Sequence, residues 1–65
     1  MRISLNGTTR ELEATTLAEA LIALGYADAV VATALNGEFV PARARSERKL
    51  KDGDEIEIVA PMQGG

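Results

Sequence analysis

The chain opens with an alternation of hydrophobic and polar residues that is typical of a half-buried β-strand. Its hydrophobic members are Met1, Ile3 and Leu5. An Asn6-Gly7 pair follows, and both residue types tolerate the positive φ angles of a two-residue hairpin turn. We therefore predict a β-hairpin whose second strand covers 8–13, with Leu12 as its clearest inward-facing residue.

The pattern then changes to helical spacing. Thr16 and Glu19 have the spacing of a capping box, in which a threonine hydroxyl and a glutamate carboxylate accept hydrogen bonds from the first free amides. The residues that would form one apolar stripe are Leu17, Ala20, Leu21 and Leu24. Gly25 follows as a natural terminator, because glycine adopts the left-handed cap without strain. This is the only convincing helix in the pattern.

Two further strands are predicted around a second turn. Val30 to Leu35 is apolar and rich in β-branched residues, which favours a buried strand. Asn36-Gly37 is a second tight-turn signal. A short strand at 38–40 follows, and Pro41 ends it because proline cannot donate a hydrogen bond to a neighbouring strand.

The rest of the folded part carries one more strand. Residues 42–51 are expected to be irregular or a short helical turn, with Leu50 facing inward. Asp52-Gly53-Asp54 is a turn signal; the alternative, half of a calcium-binding loop, lacks further ligands at the right spacing. The last strand would face inward through Ile56, Ile58 and Ala60. Pro61 closes it.

This order of elements predicts an α+β fold of the ubiquitin-like β-grasp type. A mixed four- to five-stranded sheet would pack one face on the main helix, because the helix stripe needs a surface against which to bury itself. The domain would cover 1–61, followed by a flexible C-terminal tail at 62–65. The opposite sheet face would be uncovered and is the natural docking surface.

Composition narrows the classes of function. The 65 residues contain no cysteine and no histidine, so the usual nucleophiles, neutral-pH bases and soft metal ligands are missing. We expect no enzyme, no bound cofactor and no metal site. The net charge of −3 argues against nucleic acid as a partner. No apolar run is long enough for a membrane span and no signal segment is visible, so we expect a cytoplasmic protein with no membrane partner.

The most distinctive chemistry lies in the last two residues, Gly64 and Gly65. A glycine carboxylate has no neighbouring Cβ, so it can enter a narrow channel in a partner enzyme. Adenylation by ATP would convert it into a mixed anhydride that a thiol or persulfide can attack. The alternative is a frayed terminus with no function of its own.

Three segments together resemble the family of sulfur carrier proteins of thiamin biosynthesis, the ThiS family. They are ALNGEFVP at 34–41, LKDGDEIEI at 50–58 and the glycine pair at the end. The resemblance covers nearly the whole chain, including its length and order of elements. One departure is visible: family members usually place an arginine directly after the proline, whereas here Ala42 intervenes and the arginine is Arg43.

The resemblance implies a sulfur carrier that acts as a co-substrate of other enzymes. A ubiquitin-activating-like adenylyltransferase would use ATP to adenylate Gly65. Sulfur from a cysteine desulfurase relay would then give a thiocarboxylate, which would donate sulfur to thiazole synthase. The residues expected to enter partner active sites are Met62, Gln63 and Gly64. The candidates for partner docking are Val59, Phe39 and Arg43.

Three other functions share the fold. The small subunit of molybdopterin synthase is also a sulfur carrier, and a ubiquitin-like modifier also ends in glycine. A plain β-grasp interaction module would carry its two glycines incidentally.

For Phe39, a buried position in the core is the default expectation, because a lone aromatic residue in a small domain usually packs inside. An exposed Phe39 on the open sheet face would instead be the best anchor for a partner.

Overall fold

The computed structural model describes residues 1–61. The strands are β1 (Arg2–Leu5), β2 (Thr8–Glu11), β3 (Ala32–Leu35), β4 (Glu38–Val40) and β5 (Glu55–Val59). The α-helix is α1 (Leu17–Ala23), and a 3-10 helix covers Ala42–Glu47. None of the helices within 1–61 is long enough and apolar enough to cross a membrane.

The strands form one mixed five-stranded sheet in the order β2-β1-β5-β3-β4. β5 runs parallel to β1 and antiparallel to β3, while the two hairpins, β1-β2 and β3-β4, are antiparallel. The last strand in sequence therefore lies at the centre of the sheet. This architecture confirms the predicted ubiquitin-like β-grasp fold.

One face of the sheet carries the hydrophobic core. The buried side chains come from every layer of the fold; they are Ile3, Leu5, Leu17, Ala20, Leu21, Leu35, Val40, Leu50, Ile56 and Ile58. In β1, β3 and β5, alternate residues point to the core because the side-chain period of a strand is two. Leu50 is buried as predicted, and the segment before it forms the 3-10 helix, which contacts α1.

Both Asn-Gly turns form as predicted. Asn6 and Gly7 have φ angles of 50° and 86°, and Asn36 and Gly37 have φ angles of 51° and 83°. Positive φ at both central residues is the conformation whose twist matches the flanking strands of a hairpin.

The ends of α1 also follow the sequence signals. The hydroxyl of Thr16 accepts a hydrogen bond from the Glu19 amide at 3.2 Å, and the Glu19 carboxylate accepts one from the Thr15 amide at 2.7 Å. At the other end, Gly25 has a φ of 94°. The amides of Gly25 and Tyr26 donate to the carbonyls of Ile22 and Leu21, which is the paired pattern of a Schellman cap.

Several strand predictions need correction. The buried strand predicted at Val30 begins only at Ala32, and Val30 is 81% exposed. The apolar run predicts a buried strand, but only alternate residues of β3 face the core, since within residues 1–61 only one face of the sheet is covered. Ala60, expected to face inward in phase with Ile56 and Ile58, is exposed because β5 ends at Val59. The second strand ends at Glu11, and Leu12 follows it half-buried against the core.

Candidate functional site at the open sheet face

The C-terminal segment leaves the sheet from its central strand. Val59, the last residue of β5, pairs with Ala32 of β3 and points away from the core. Residues 60 and 61 follow it. The predicted tail residues Met62, Gln63, Gly64 and Gly65 lie outside the described residues.

A shallow groove of about 500 Å³ lies on the uncovered face beside Val59. It is lined by Asn6, Ala32, Thr33, Ala34, Phe39, Glu57, Ile58 and Val59. Ala34 pairs with Phe39 on one side and with Glu57 on the other. Cross-strand neighbours on one face stand about 5 Å apart, so the small alanines form a low floor between larger side chains.

Phe39 stands at one wall of this groove with 65% of its surface exposed. The default expectation that it belongs to the core is therefore wrong. β4 places Val40 in the core, and the period of two then sends Phe39 to the opposite face. An exposed phenylalanine beside an apolar floor has the character of an anchor for another protein.

The apolar surface continues from the groove to the root of the C-terminal segment. A second depression of about 330 Å³ is lined by Val30, Val31, Ala32, Val59 and Pro61. Ala32 and Val59 belong to both depressions. A partner seated on Phe39 could therefore follow apolar surface without interruption as far as Pro61.

The charge beside this apolar surface is acidic. Glu55 and Glu57 are exposed on β5 and point to the uncovered face. Neither forms an ion pair with another residue of 1–61, whereas Arg2 on the same face is paired with Glu11 at 3.5 Å. The groove therefore suits a partner surface that is apolar at its centre and basic at its edge.

The arginines after Pro41 have different environments. Arg43 is exposed on the 3-10 helix and does not line the groove. Arg45 is half-buried, and its guanidinium donates to the Thr33 hydroxyl at 3.0 Å and to the Val31 carbonyl at 2.7 Å. Thr33 donates in turn to the Val40 carbonyl at 2.8 Å. Arg45 therefore ties the 3-10 helix to β3, and the docking role of Arg43 stays a prediction.

The Asp52-Gly53-Asp54 segment forms a turn, as predicted. Asp52 accepts a hydrogen bond from the Arg2 amide at 2.7 Å. The carboxylate of Asp54 is buried and accepts from the Lys51 amide and the Asn36 side chain at 2.9 and 3.0 Å. Within residues 1–61, no group of three or more acidic residues lies close enough together to hold a metal ion.

Sequence reasoning missed one residue of the groove, Asn6, because the Asn-Gly pattern predicts only a turn there. The side chain of Asn6 also bonds to the backbone of β5, and so does that of Asn36, which does not line the groove. The signal that could have revealed them is the choice of residue: glycine would satisfy a positive φ equally well, whereas asparagine adds a donor and an acceptor.

Comparison with known proteins agrees with this geometry. The model of the ThiS family matches residues 3–65. A curated relative, the sulfur carrier protein ThiS of Thermus thermophilus, is 46% identical over 61 residues, which cover 94% of this chain and 95% of that protein. The crystal structure of the thiamine biosynthesis protein ThiS from Geobacter metallireducens superposes with a TM-score of 0.84 at 33% identity, with each chain covered completely.

A longer relative matches as well. A thiazole synthase of Paramagnetospirillum magneticum is 38% identical over 66 aligned positions, which cover this whole chain but only 20% of that protein. A segment similar to residues 1–65 is thus part of a longer protein named thiazole synthase.

Proposed function

The chain belongs to the ThiS family of sulfur carriers in thiamin biosynthesis, and we propose that it carries its sulfur as a thiocarboxylate on Gly65. The observation that carries this proposal is the family match, which continues through residue 65 and so includes both final glycines. The chain has no cysteine, so it cannot hold sulfur as a persulfide of its own.

The chemistry requires three steps on partner proteins. In the first, a carboxylate oxygen of Gly65 attacks the α-phosphorus of ATP on an adenylyltransferase, pyrophosphate leaves, and an acyl adenylate forms. In the second, the outer sulfur of a persulfide from a desulfurase relay attacks the acyl carbon and AMP leaves. A thiol then cleaves the resulting acyl disulfide, which releases the thiocarboxylate and leaves a disulfide between the two thiol partners.

The groove offers the adenylyltransferase and the persulfide donor the same surface to bind. Phe39 and Val59 are exposed together, and Val59 is separated from the last four residues only by Ala60 and Pro61. Four extended residues span about 13 Å, so a partner that binds the groove can hold its active site within reach of Gly65. In this arrangement Met62, Gln63 and Gly64 line the entrance to that active site.

Thiazole synthase is the acceptor that we propose for the sulfur. The thiazole synthase of Paramagnetospirillum magneticum supports this choice, because it contains a segment similar to the entire chain. Joining two partners in one polypeptide raises the effective concentration of one near the other. The chain would act as a co-substrate in the cytoplasm, where ATP and reduced thiols are both present.

Mass spectrometry of the protein after incubation with the adenylyltransferase, ATP and a sulfur donor tests the proposal. We expect one oxygen to be replaced by sulfur, with the change mapped to Gly65 by fragmentation. Mapping is necessary because oxidation of Met1 or Met62 adds nearly the same mass. A variant that lacks Gly65 is the control and should gain nothing.

The contrary outcome is also well defined. If Gly65 stays unmodified while the same enzyme preparation adenylates the sulfur carrier of Thermus thermophilus, the thiocarboxylate proposal is wrong. An isopeptide bond from Gly65 to a lysine of another protein would identify a modifier instead.

A further inference from the structure

The central strand β5 extends further than its parallel neighbour. β1 pairs with β5 only through Ser4-Glu55 and Leu5-Ile56, because the chain turns into the first hairpin at Asn6. β5 continues to Val59. Within residues 1–61, no strand therefore lies beside the backbone of Ile58 on the β1 side.

The side chain of Asn6 occupies that place. Its Nδ2 donates to the Ile58 carbonyl at 3.1 Å, and its Oδ1 accepts from the Ile58 amide at 2.9 Å. The backbone amide of Asn6 adds a bond to the Ile56 carbonyl at 2.9 Å. A carboxamide carries the same donor and acceptor as a peptide group, so it extends the β1-β5 ladder by one step.

Asn36 holds the opposite end of β5 in a similar way. Its Oδ1 accepts from the Glu55 amide at 2.9 Å, and its backbone amide donates to the Glu55 carbonyl at 2.8 Å. Asn6 and Asn36 occupy the same position of two equivalent turns, with φ angles of 50° and 51°. The two residues differ in the end of β5 that they hold: Asn36 holds its first residue, and Asn6 holds the residue before Val59.

We propose that Asn6 is a positioning residue for the C-terminal segment. Its two side-chain bonds fix Ile58, and through Ile58 they fix the direction in which Val59, Ala60 and Pro61 leave the sheet. Holding that direction before a partner binds lowers the ordering cost of delivering the last residues into an active site. This part of the inference rests on the proposed function, whereas the structural effect on Ile58 does not.

The structural effect can be measured on the protein alone. Asn6→Gly removes the carboxamide but keeps a residue that accepts the positive φ. Asn36→Gly is the control at the equivalent position of the other turn, and it also removes the bond from Asn36 to Asp54. Amide hydrogen exchange of Ile58 should be about tenfold faster in Asn6→Gly, relative to core amides that open only on global unfolding. Backbone order parameters at Val59 and Ala60 should fall in Asn6→Gly and stay unchanged in Asn36→Gly. Equal behaviour of the two variants would overturn the inference.

Adenylation kinetics supply the functional measurement. They are measured at a temperature below the unfolding transition of both variants. Asn6→Gly should raise the KM of the adenylyltransferase for the carrier by about three- to tenfold, with kcat within about twofold, because the bound partner itself orders the segment. Asn36→Gly should match the wild-type protein. An unchanged KM in Asn6→Gly would contradict the positioning role of Asn6. If the wild-type protein is not adenylated at all, the proposed function is wrong. In that case the hydrogen exchange of Ile58 still tests whether Asn6 holds the end of β5.

Discussion

At the scale of single residues, polar side chains hold several elements of this small fold in place. Asn6 and Asn36 hold the two ends of β5, and Arg45 ties the 3-10 helix to the buried hydroxyl of Thr33. Asp54 is 3% exposed and has a partner for each carboxylate oxygen. Buried polar groups of this kind cost stability when their partners are removed.

Asp54→Ala should therefore destabilise the protein. The substitution leaves the Lys51 amide and the Asn36 side chain without their acceptor, and we expect the free energy of unfolding to fall by about 1–3 kcal/mol. Urea denaturation measures the change. Asp28→Ala, at an exposed position in the loop before β3, should stay within about 0.5 kcal/mol of the wild-type protein. Equal losses in the two variants would show that the buried hydrogen bonds contribute nothing specific.

At the scale of elements, the accuracy of sequence reasoning follows the range of the interactions. The Asn-Gly turns and both ends of α1 were predicted correctly, because a positive φ or a cap depends on residues within a few positions of one another. The exposure of Val30 and Phe39 depends instead on where β3 begins and on which face of the sheet is covered. The apolar residues of the sequence do not indicate which face of the sheet is covered, and both Val30 and Phe39 are exposed.

The same distinction applies to the candidate site. The turn role of Asp52-Gly53-Asp54 was visible in the sequence, whereas the bonds from Asn6 to Ile58 join residues 52 positions apart and require the sheet order. The proximity of Phe39 and Val59 also depends on β3 lying between β4 and β5. Sequence reasoning could name these residues separately but could not place them in one groove.

The N-terminal cap of α1 makes a testable contribution to pH dependence. Hydrogen bonds from the Thr15 backbone amide, above all, lower the pKa of Glu19 below its usual value of 4.5. As the pH falls, the unfolded chain therefore binds a proton at Glu19 at a higher pH than the folded protein does. The resulting stabilisation is complete above the usual pKa and is lost as the pH falls through the lower, folded pKa.

Glu19→Gln separates this effect from the rest of acid unfolding. The variant should be less stable than the wild-type protein at neutral pH, and the difference should shrink as the pH falls from about 6 to about 2.5. Urea denaturation across that range gives the free energy of unfolding of both proteins. A difference that stays constant over the whole range would show that the charge of Glu19 is not responsible.

At the scale of the whole molecule, the two faces of the sheet have different roles, one in folding and one in the proposed binding of partners. The covered face provides the core, and the uncovered face leaves Phe39 and Val59 exposed beside the root of the C-terminal segment. β5 connects the two faces, since its inward residues Ile56 and Ile58 lie in the core and the segment that ends in Gly65 follows its last residue, Val59. Substitutions on the uncovered face should therefore affect partners more than folding.

Phe39→Ala and Ile22→Ala form a matched pair for that expectation, because the two side chains are 65% and 64% exposed on different layers. Both variants should keep nearly the wild-type free energy of unfolding. Calorimetric titration with the adenylyltransferase should show about tenfold weaker binding or more for Phe39→Ala, because a central aromatic anchor dominates the energy of an interface. Ile22→Ala should bind as the wild-type protein does. If Ile22→Ala weakens binding while Phe39→Ala does not, the partner docks on the helix layer, and the groove beside Val59 is not the docking surface.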